Sequence, residues 1–337
     1  MEIATLGEFG LIRRLTENLE LRNASSLKGT GDDAAVLDYK EKKVLVTTDL
    51  LMEGIHFDLT YVPLKHLGYK SAIVNFSDIY AMNGQPKQIT VSLGLSKRFS
   101  VEDTEDFYEG LELACRIYGV DIVGGDTSSS LTGLCISITC IGEADADKIV
   151  YRNGAKEHDL VCVSGDLGAA YMGLQLLERE KNVFAGEKDF NPDFAGKEYL
   201  LERQLKPEAR KDIILLLSEN QILPTAMIDI SDGLSSELLH ICEQSNVGCA
   251  VYEERIPIDY QTASMAEQFN MNLTTVALNG GDDYELLFTV PLHLHEKVEQ
   301  IDGIKVIGHI CNTTQGANLI ARDGTQIPLQ AQGWEAF

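Results

Sequence analysis

The sequence has no long apolar run, no C-x-x-C pair and no leader-like start. None of its hydrophobic stretches approaches the ~20 residues that a membrane-spanning helix needs, so the pattern does not indicate a membrane protein. The first residues lack the basic-then-apolar order of a signal peptide, and the seven cysteines are scattered, which is typical of a reducing compartment. We therefore expect a soluble, cytoplasmic protein whose cysteines hold neither zinc nor disulfide bonds.

Basic residues are also scarce, because 28 lysines and arginines stand against 52 aspartates and glutamates, a formal net charge of −24. Such a field repels a phosphate backbone, so nucleic acid and anionic membrane surfaces are not expected partners. The same field raises the local concentration of divalent cations. An anionic substrate would therefore need metal ions between itself and the protein.

The common phosphate-binding motifs are missing as well. The sequence has neither the G-x-x-x-x-G-K-[ST] loop nor the G-x-G-x-x-G fingerprint, and no H-R-D or D-F-G pair of the protein-kinase kind. Any bound nucleotide would have to be held mainly through metal ions. Arg152, in VYRNGAKEHD, is the best-placed basic residue for its phosphates, and the alternative is a surface arginine at a strand end.

Strand-like and helix-like segments alternate along the chain, which indicates a mixed α/β fold. A length of 337 residues favours two domains over one core, and the pattern resets near residue 150, so we expect domains over 1–148 and 149–337. In the second we expect a surface loop at 182–198 and a helix over 207–220. Two further helices would be opened by Asp166 and Asp232.

Aspartates recur where an apolar segment meets a turn residue or a hydroxyl. The motifs are GTGDDAAVL (29–37), TTDLLMEG (47–54), NFSDIYAMNG (75–84), VGGDTSSS (123–130), DISDGLSSEL (229–238) and LNGGDDYELLF (278–288). Three explanations stay open for any one of them. An aspartate after Gly or Ser commonly caps a helix or closes a turn, and a solvated acidic face also suits a chain of this charge.

The third explanation is a magnesium site. Mg²⁺ takes hard oxygen ligands, usually one or two carboxylates together with substrate phosphates, and strand ends bring distant residues to one rim of a sheet. Hydroxyls beside the aspartates, such as Thr47, Thr48 and Ser231, add neutral oxygens. Because crowded carboxylates need cations between them, the recurrence favours a site for several Mg²⁺ ions.

The ordered set of motifs, with EGIHFD and YRNGAK between them, resembles the thiamine-monophosphate kinase family over nearly the whole chain. The wider superfamily includes aminoimidazole ribonucleotide synthetase, selenophosphate synthetase and a hydrogenase maturation factor. The resemblance implies a two-domain synthetase-like fold, an N-terminal domain that binds ATP and Mg²⁺ and forms homodimers through its sheet, and a C-terminal domain that completes the substrate site. It implies ATP-dependent phosphorylation of thiamine monophosphate to thiamine diphosphate.

The resemblance also assigns roles to individual residues. It implies metal ligands at Asp33, Thr47, Thr48, Asp49, Asp78, Asp126, Asp229 and Asp232. It implies ATP contacts at Gly125, Asp126, Arg152 and Ser231, with Tyr108 near the base. His56, Asp282 and Trp334 would contact the substrate. Two of these depart from the family pattern, which often has Glu where Asp282 stands and Tyr where Trp334 stands.

The implied mechanism is direct, metal-assisted transfer of the phosphoryl group, in which no side chain acts as a catalytic acid, base or nucleophile. The acceptor phosphate has a second pKa near ~6 and is already ionised at neutral pH, so it needs no general base; His56 as a covalent relay is the lesser alternative. Two rival functions stay open: another ATP-using enzyme of the superfamily, such as the aminoimidazole ribonucleotide synthetase, and a non-catalytic sensor of Mg-nucleotide.

Overall fold

The computed structural model describes residues 11, 14–28, 36–183 and 194–332. The chain divides into two compact units, an N-terminal unit (1–149) and a C-terminal unit (150–337). The division falls one residue from the boundary expected at 148. No helix in the described ranges is long and apolar enough to cross a membrane.

The N-terminal unit is built on a mixed four-stranded sheet. The strands described in this unit are β1 (Ser26–Lys28), β2 (Val36–Leu37), β3 (Lys43–Met52), β4 (Gln85–Leu95), β5 (Asp121–Ser129) and β6 (Leu134–Ala144). Its long helices are α1 (Leu64–Ala81) and α2 (Val101–Tyr118). The strand order is β3-β6-β4-β5, with only β4 and β5 parallel, and β1 pairs with β2 in a separate ribbon.

Helix α1 lies on one face of this sheet, and α2 packs on α1. The buried side chains between α1 and the sheet include Phe76 of α1 and Ile138 of β6. Two glycines allow the helices to approach closely, because a Cβ atom at Gly68 would fall 1.9 Å from the Phe107 carbonyl oxygen and one at Gly110 1.7 Å from that of Lys65. A capping box at Ser100 begins α2, as the S-x-x-D spacing favours.

The other face of the sheet leaves apolar side chains exposed. On β3 these are Val44, Val46, Leu50 and Met52, and Val46 is 65% exposed. They alternate with the residues that face α1, as the two-residue period of a strand requires. An exposed apolar strip of this kind is typical of an interaction surface.

The C-terminal unit is built on a seven-stranded sheet of order β13-β12-β9-β11-β7-β10-β8, in which only β9 and β12 are parallel. Its strands are β7 (Leu160–Ser164), β8 (Ala226–Asp229), β9 (Gly248–Tyr252), β10 (Leu286–Val290), β11 (Ile304–Cys311), β12 (Ala317–Ile320) and β13 (Gln326–Pro328). Its α-helices are α3 (Ala169–Val183), α4 (Glu198–Leu205), α5 (Lys211–Glu219), α6 (Leu234–Ser245), α7 (Tyr260–Gln268), α8 (Leu273–Asn279) and α9 (His295–Glu299). Short 3₁₀ turns cover Glu253–Arg255, Leu292–Leu294 and Thr313–Gln315.

Two buried clusters stabilise this unit. One joins the sheet to α6, through residues such as Val163, Leu287 and Leu238. The other joins α3, α4, α7 and α8, and includes Met172 and Leu200. The second cluster places α4 beside the strand ends of β7 and β10, where the sequence carries its acidic motifs.

The helices expected from Pro207 and from Asp166 begin later than expected, and one helix was not expected. The helix expected from Pro207 begins only at Lys211, because Arg210 is held by Glu285 and Asp212 before the helix starts. Asp166 does not open α3, which begins at Ala169; instead its carboxylate accepts a hydrogen bond from the Tyr199 hydroxyl. Helix α4 was not expected, and its first residue, Glu198, ends the segment 182–198 that was expected to be loop. Of that segment, 182–183 belong to α3 and 184–193 lie outside the described residues.

Candidate functional site

In the N-terminal unit, the side chains of Thr47, Asp49 and Asp78 come together between β3 and α1. Thr47 and Asp49 are two residues apart on β3 and share the face that α1 covers. The Thr47 hydroxyl donates a hydrogen bond to Asp78 Oδ2 at 2.5 Å. The structure thus brings together two of the predicted carboxylates and one of the predicted hydroxyls.

This pair of carboxylates is electrostatically costly in the metal-free protein. Burial, together with the negative charge of Asp78, raises the pKa of Asp49 to about 7. Asp49 Oδ2 is buried and accepts no hydrogen bond from the described residues. A buried carboxylate oxygen without a donor, next to a second carboxylate, fits a divalent cation that would stabilise the charged form.

Thr48 and Asp126 are not brought to this pair. The Thr48 side chain lies on the opposite face of β3, where its hydroxyl donates to the Ile138 carbonyl and accepts from Thr139, both at 3.1 Å. Asp126 of β5 pairs with Ser92 of β4. This row of paired residues is the one next to the row that contains Asp49, and β5 lies three strand spacings from β3, which is about 14 Å. Adjacent rows point to opposite faces, so neither side chain can join Asp49 and Asp78 as the strands stand.

Gly125, His56 and Tyr108 have local environments that bear on their predicted roles. A Cβ atom at Gly125 would fall 2.0 Å from the Val91 carbonyl oxygen, so packing against β4 already requires glycine there. His56 lies exposed in the turn after β3, and its Nδ1 accepts a hydrogen bond from the Met52 N–H at 3.0 Å, which leaves Nε2 to carry the proton of the neutral ring. Tyr108 is only 8% exposed and packs edge-on against Phe107, so it is a core residue and not an open platform for a base.

In the C-terminal unit, the loop at 229–233 and the loop at 280–285 run side by side. The Asp282 N–H donates to the Ser231 carbonyl at 2.7 Å, and the Tyr284 N–H donates to that of Ile230 at 2.9 Å. Gly281 has φ +70°, and a Cβ atom there would fall 2.7 Å from the Ser231 carbonyl oxygen. Glycine is therefore required between the two loops, and the two sequence motifs form one site.

Asp232 is not the helix cap that its spacing suggested. Helix α6 begins at Leu234 with Gly233 at its N-cap, and the backbone of Asp232 is held instead by Glu237, whose Oε1 accepts from the Asp232 N–H at 2.9 Å. Burial raises the pKa of Asp232; His240 lowers it, Asp282 raises it and Arg152 lowers it. Both acidic and basic side chains therefore act on the Asp232 carboxylate.

Asp229 and Glu237 complete the acidic group around Asp232. Asp229 ends β8 and is 4% exposed. Glu237, on the first turn of α6, is 1% exposed, and its Oε2 has no hydrogen-bond partner in the described residues. Burial raises the pKa of Glu237 to about 8, with the charges of Asp232 and Asp229 adding to the shift. The sequence reasoning missed Glu237, although its place in the helix after D-G was a usable signal.

Asp282 and Asp283 are adjacent in sequence but differ in surroundings. Asp282 has φ +59° and is half-buried; its Oδ1 accepts from the Tyr284 hydroxyl at 2.8 Å and its Oδ2 from Gln204 Nε2 at 3.3 Å. Asp283 is 1% exposed, and both of its oxygens accept from the Gly168 N–H. Only Asp282 is therefore open to a ligand.

Four predicted site residues remain, and the structure describes two of them. Arg152 and Ser231 are exposed, and the Arg152 carbonyl accepts a hydrogen bond from Ser245 at 3.4 Å. Asp33 and Trp334 lie outside the described residues.

The acidic groups fit Mg²⁺ by their chemistry, although the described ranges contain no group of three or more His, Cys, Asp or Glu side chains arranged to hold a metal ion. Each unit offers carboxylates in pairs, and Mg²⁺ normally keeps several waters and binds one or two carboxylates with phosphate oxygens. One buried oxygen in each group, Asp49 Oδ2 and Glu237 Oε2, accepts no hydrogen bond from the described residues and so keeps its lone pairs for a cation.

Comparisons with known proteins show which family and which fold the chain resembles. Residues 31–144 match the family model described as AIR synthase related protein, N-terminal domain. The thiamine-monophosphate kinase of Aquifex aeolicus (strain VF5) is 35% identical over 337 residues, which cover 100% of both chains. That of Bacillus subtilis (strain 168) is 32% identical over 98% of this chain and 100% of the relative.

Solved structures are similar over the same length. AaThiL complexed with AMPPCP and TMP is 34% identical, with a TM-score of 0.75 over 100% of this chain and 99% of that one. The thiamine-monophosphate kinase from Stenotrophomonas maltophilia K279a is 30% identical, with a TM-score of 0.78 over 94% and 95% of the two chains. The hydrogenase maturation protein HypE, at 19% identity and a TM-score of 0.76 over 96% of this chain and 98% of that one, shares the fold.

Proposed function

The chain belongs to the thiamine-monophosphate kinase family, and on that premise we propose that it transfers the γ-phosphoryl group of ATP to thiamine monophosphate, giving thiamine diphosphate. The observation that carries the proposal is similarity over the whole length to AaThiL, whose structure was solved with AMPPCP and TMP. AMPPCP is an analogue of ATP, so that relative binds a nucleotide and a second ligand together. The acidic groups of both units support the proposal, because a reaction between two phosphates needs cations.

Mg²⁺ would be held by Asp49 and Asp78 in the N-terminal unit and by Asp229 and Asp232 in the C-terminal unit, with Asp33 as a further expected ligand. When bound, it would neutralise the repulsion between donor and acceptor phosphates and align the reacting oxygens. Thr47 orients the Asp78 carboxylate through its hydrogen bond. Glu237 fixes Asp232 through the backbone N–H.

We propose that the transfer is direct and in line. The acceptor phosphate is ionised at neutral pH, since its second pKa is near ~6, so no side chain has to remove a proton. ATP made chiral at its γ-phosphorus distinguishes the routes. Direct transfer gives thiamine diphosphate of inverted configuration, whereas a covalent phosphoenzyme, for example on His56, gives net retention.

The function itself is tested by incubating the purified protein with ATP, Mg²⁺ and thiamine monophosphate and measuring thiamine diphosphate by chromatography. We expect product with Mg²⁺ and none with EDTA. Tight binding of Mg·ATP without product would indicate a sensor instead. Phosphorylation of neither thiamine phosphate nor any analogue, together with turnover of a ribonucleotide substrate, would indicate another member of the superfamily.

The thiamine end of the substrate would face Asp282 and Trp334. The C-terminal unit has a cavity of about 450 Å³ lined by Asn279 and Gln332 among others, and no residue of the loop at 280–285 lines it. Trp334 is the only tryptophan in the chain, so a change in its fluorescence on addition of thiamine monophosphate would test the proposed contact directly. Trp334→Ala should raise the KM for thiamine monophosphate by about 5- to 30-fold, the loss of a cation–π contact, and leave the KM for ATP unchanged.

We also propose that the protein is cytoplasmic and forms a homodimer through the uncovered face of the four-stranded sheet. All seven cysteines are free thiols, which suits a reducing compartment. The exposed strip that includes Val46 and Leu50 would be buried by a second copy. Val46→Asp should give a monomeric mass in light scattering, where the unchanged protein gives a dimeric mass; a monomer for both would contradict the dimer.

A further inference from the structure

Helix α4 (Glu198–Leu205) turns three polar side chains towards the acidic loop at 280–285 and the end of β7. They are Tyr199, Arg203 and Gln204, whose partners lie 33 to 82 residues away along the chain. None of the three belongs to the motifs that carry the resemblance to the kinase family. Their contacts nevertheless converge on the residues that surround Asp282.

Gln204 touches Asp282 directly. It is 6% exposed, and its Nε2 donates to Asp282 Oδ2 at 3.3 Å, while the Tyr284 hydroxyl donates to Oδ1 at 2.8 Å. Each carboxylate oxygen of Asp282 is thus held by a different residue. Two such bonds fix both the position and the plane of the carboxylate, which a single bond would leave free to rotate.

Arg203 holds the two acidic residues that follow Asp282. Its Nη1 donates to Glu285 Oε1 at 2.9 Å, and its Nη2 lies 3.7 Å from Asp283 Oδ1. Arg210 and the Ser164 hydroxyl donate to the other oxygen of Glu285. Asp283 and Glu285 are each 1% exposed. Their buried ion pairs and hydrogen bonds therefore hold the loop at 280–285 to the interior of the unit.

The loop needs such an anchor because its backbone is strained. Asp282 has φ +59° and Tyr284 has φ +51°, values that cost free energy for residues other than glycine. Strained conformations persist only where the surrounding contacts fix them. The contacts that do so here come from the β8 loop on one side and from α4 on the other.

We propose that Gln204 and Arg203 are positioning residues for Asp282, so that α4 sets where this carboxylate meets the thiamine end of the substrate. The inference rests on the proposed function, because it takes Asp282 as a substrate contact. Gln204 acts on the carboxylate itself. Arg203 acts through Asp283 and Glu285 on the backbone that carries it.

The first test compares Gln204→Met with Gln268→Met, the same change at an exposed position on α7. Gln204→Met removes the donor and keeps the side-chain length. We expect its KM for thiamine monophosphate to rise about fivefold, as loss of one hydrogen bond would give, with kcat and the KM for ATP within twofold and an unchanged melting temperature. Gln268→Met should match the unchanged protein. A KM for thiamine monophosphate within twofold in Gln204→Met would overturn the role of Gln204.

The second test does not depend on activity. Hydrogen exchange measured by mass spectrometry follows the Asp282 and Tyr284 amides, whose bonds to Ser231 and Ile230 should protect them. In Arg203→Met, and more mildly in Arg203→Lys, we expect exchange in a peptide over 280–285 at least about tenfold faster, with peptides from β10 unchanged. Unchanged exchange in the folded Arg203→Lys protein overturns the positioning role. If the unchanged protein makes no thiamine diphosphate, the proposed function fails and the exchange result alone decides whether α4 holds the loop.

Discussion

Asp49 in the N-terminal unit and Glu285 in the C-terminal unit are both carboxylates removed from water, yet their partners differ. Glu285 is 1% exposed and both of its oxygens receive arginine or serine donors. Asp49 has an oxygen that accepts no hydrogen bond from the described residues, and the neighbouring charge is the negative one of Asp78. One carboxylate is satisfied within the fold and the other is not.

This difference separates structural acids from acids kept for a ligand. A buried charge without a positive partner is costly, so a protein retains one only where something else supplies the charge. By this criterion Asp283 and Glu285 maintain the fold. Asp49 and Glu237, each with a buried oxygen that accepts no hydrogen bond from the described residues, are available to cations, and each class should respond differently to substitution.

The largest effect is expected from Asp49→Ala or Asp78→Ala. Either change should lower phosphoryl transfer roughly a hundredfold or more, the scale of losing a charge-stabilising group at a reacting phosphate. The fold should persist, because removing one of two repelling carboxylates relieves strain in the metal-free protein. Calorimetry without Mg²⁺ should give an equal or higher melting temperature, and stabilisation by Mg·ATP should shrink.

Near-normal activity of these variants at saturating Mg²⁺ would contradict the assignment of Asp49 and Asp78 to the metal. A lower melting temperature of the Asp49→Ala variant without Mg²⁺ would contradict the contrast between Asp49 and Glu285, because it would show that Asp49 also stabilises the fold. Asp58→Ala, in the same unit but outside the acidic pair, serves as the control.

Glu285→Gln should give the opposite pattern. It leaves Arg203 and Arg210 buried with one negative partner fewer, and breaking a buried pair in this way costs about 3 kcal/mol of unfolding free energy. Glu208→Gln breaks a surface contact with Lys206 instead and should cost less than about 0.5 kcal/mol. Urea unfolding measures both. Equal losses in the two variants would show that the buried network does not carry stability.

Much of the fold could be predicted from local pattern. Helix α2 has a capping box at Ser100, an amphipathic stretch and a left-handed Gly119 at its end, and such signals lie within a few residues of each other. Helix α4 was missed because its stability comes from packing Leu200 into a cluster with α3, α7 and α8, and that cluster joins distant parts of the chain.

The candidate site was only partly predictable for the same reason. Nothing local distinguishes Asp282 from Asp283, since the partners that separate them, Gln204 and Gly168, lie 78 and 115 residues away. Thr47 and Thr48 are equally alike in sequence, and only the placement of α1 decides which one faces Asp78. Motif resemblance pointed to the loops at 229–233 and 280–285, which the structure brings side by side, but which side chains are open to a ligand depends on tertiary contacts.

The pH dependence of stability sharpens the comparison further. Burial raises the pKa of Asp283 from 3.8 to about 7, although Arg203 lowers it. Between pH 4 and pH 7 the folded state therefore keeps a proton that the unfolded state has released, so the contribution of Asp283 to stability is full below about pH 4 and is lost as the pH rises through about 7. Asp283→Asn should flatten this slope in urea titrations at pH 5 to 8.

Asp49 contributes a slope of the same sign in the metal-free protein, because its pKa is also raised to about 7. Two contributions to the pH dependence of stability should therefore separate. Mg²⁺ should abolish the contribution of Asp49, which Asp49→Asn also abolishes, and should leave the contribution of Asp283 unchanged. If Mg²⁺ has no effect on the slope, or abolishes it in full, the two carboxylates do not differ in the way that their partners indicate.

The smallest expected effect distinguishes two adjacent threonines on β3. Thr47 donates to Asp78 on the face covered by α1, whereas Thr48 bonds Thr139 and the Ile138 carbonyl on the opposite face. Thr47→Ala should lower kcat/KM about 5- to 10-fold, the scale of a typical net hydrogen bond, and raise the Mg²⁺ concentration needed for half-maximal activity. Thr48→Ala should change both quantities less than twofold. Because the two substitutions are chemically identical and one residue apart, their difference isolates the face of the strand. A stronger effect at Thr48 would mean that the metal contacts β3 from its exposed face, which would reverse the assignment of the two threonines.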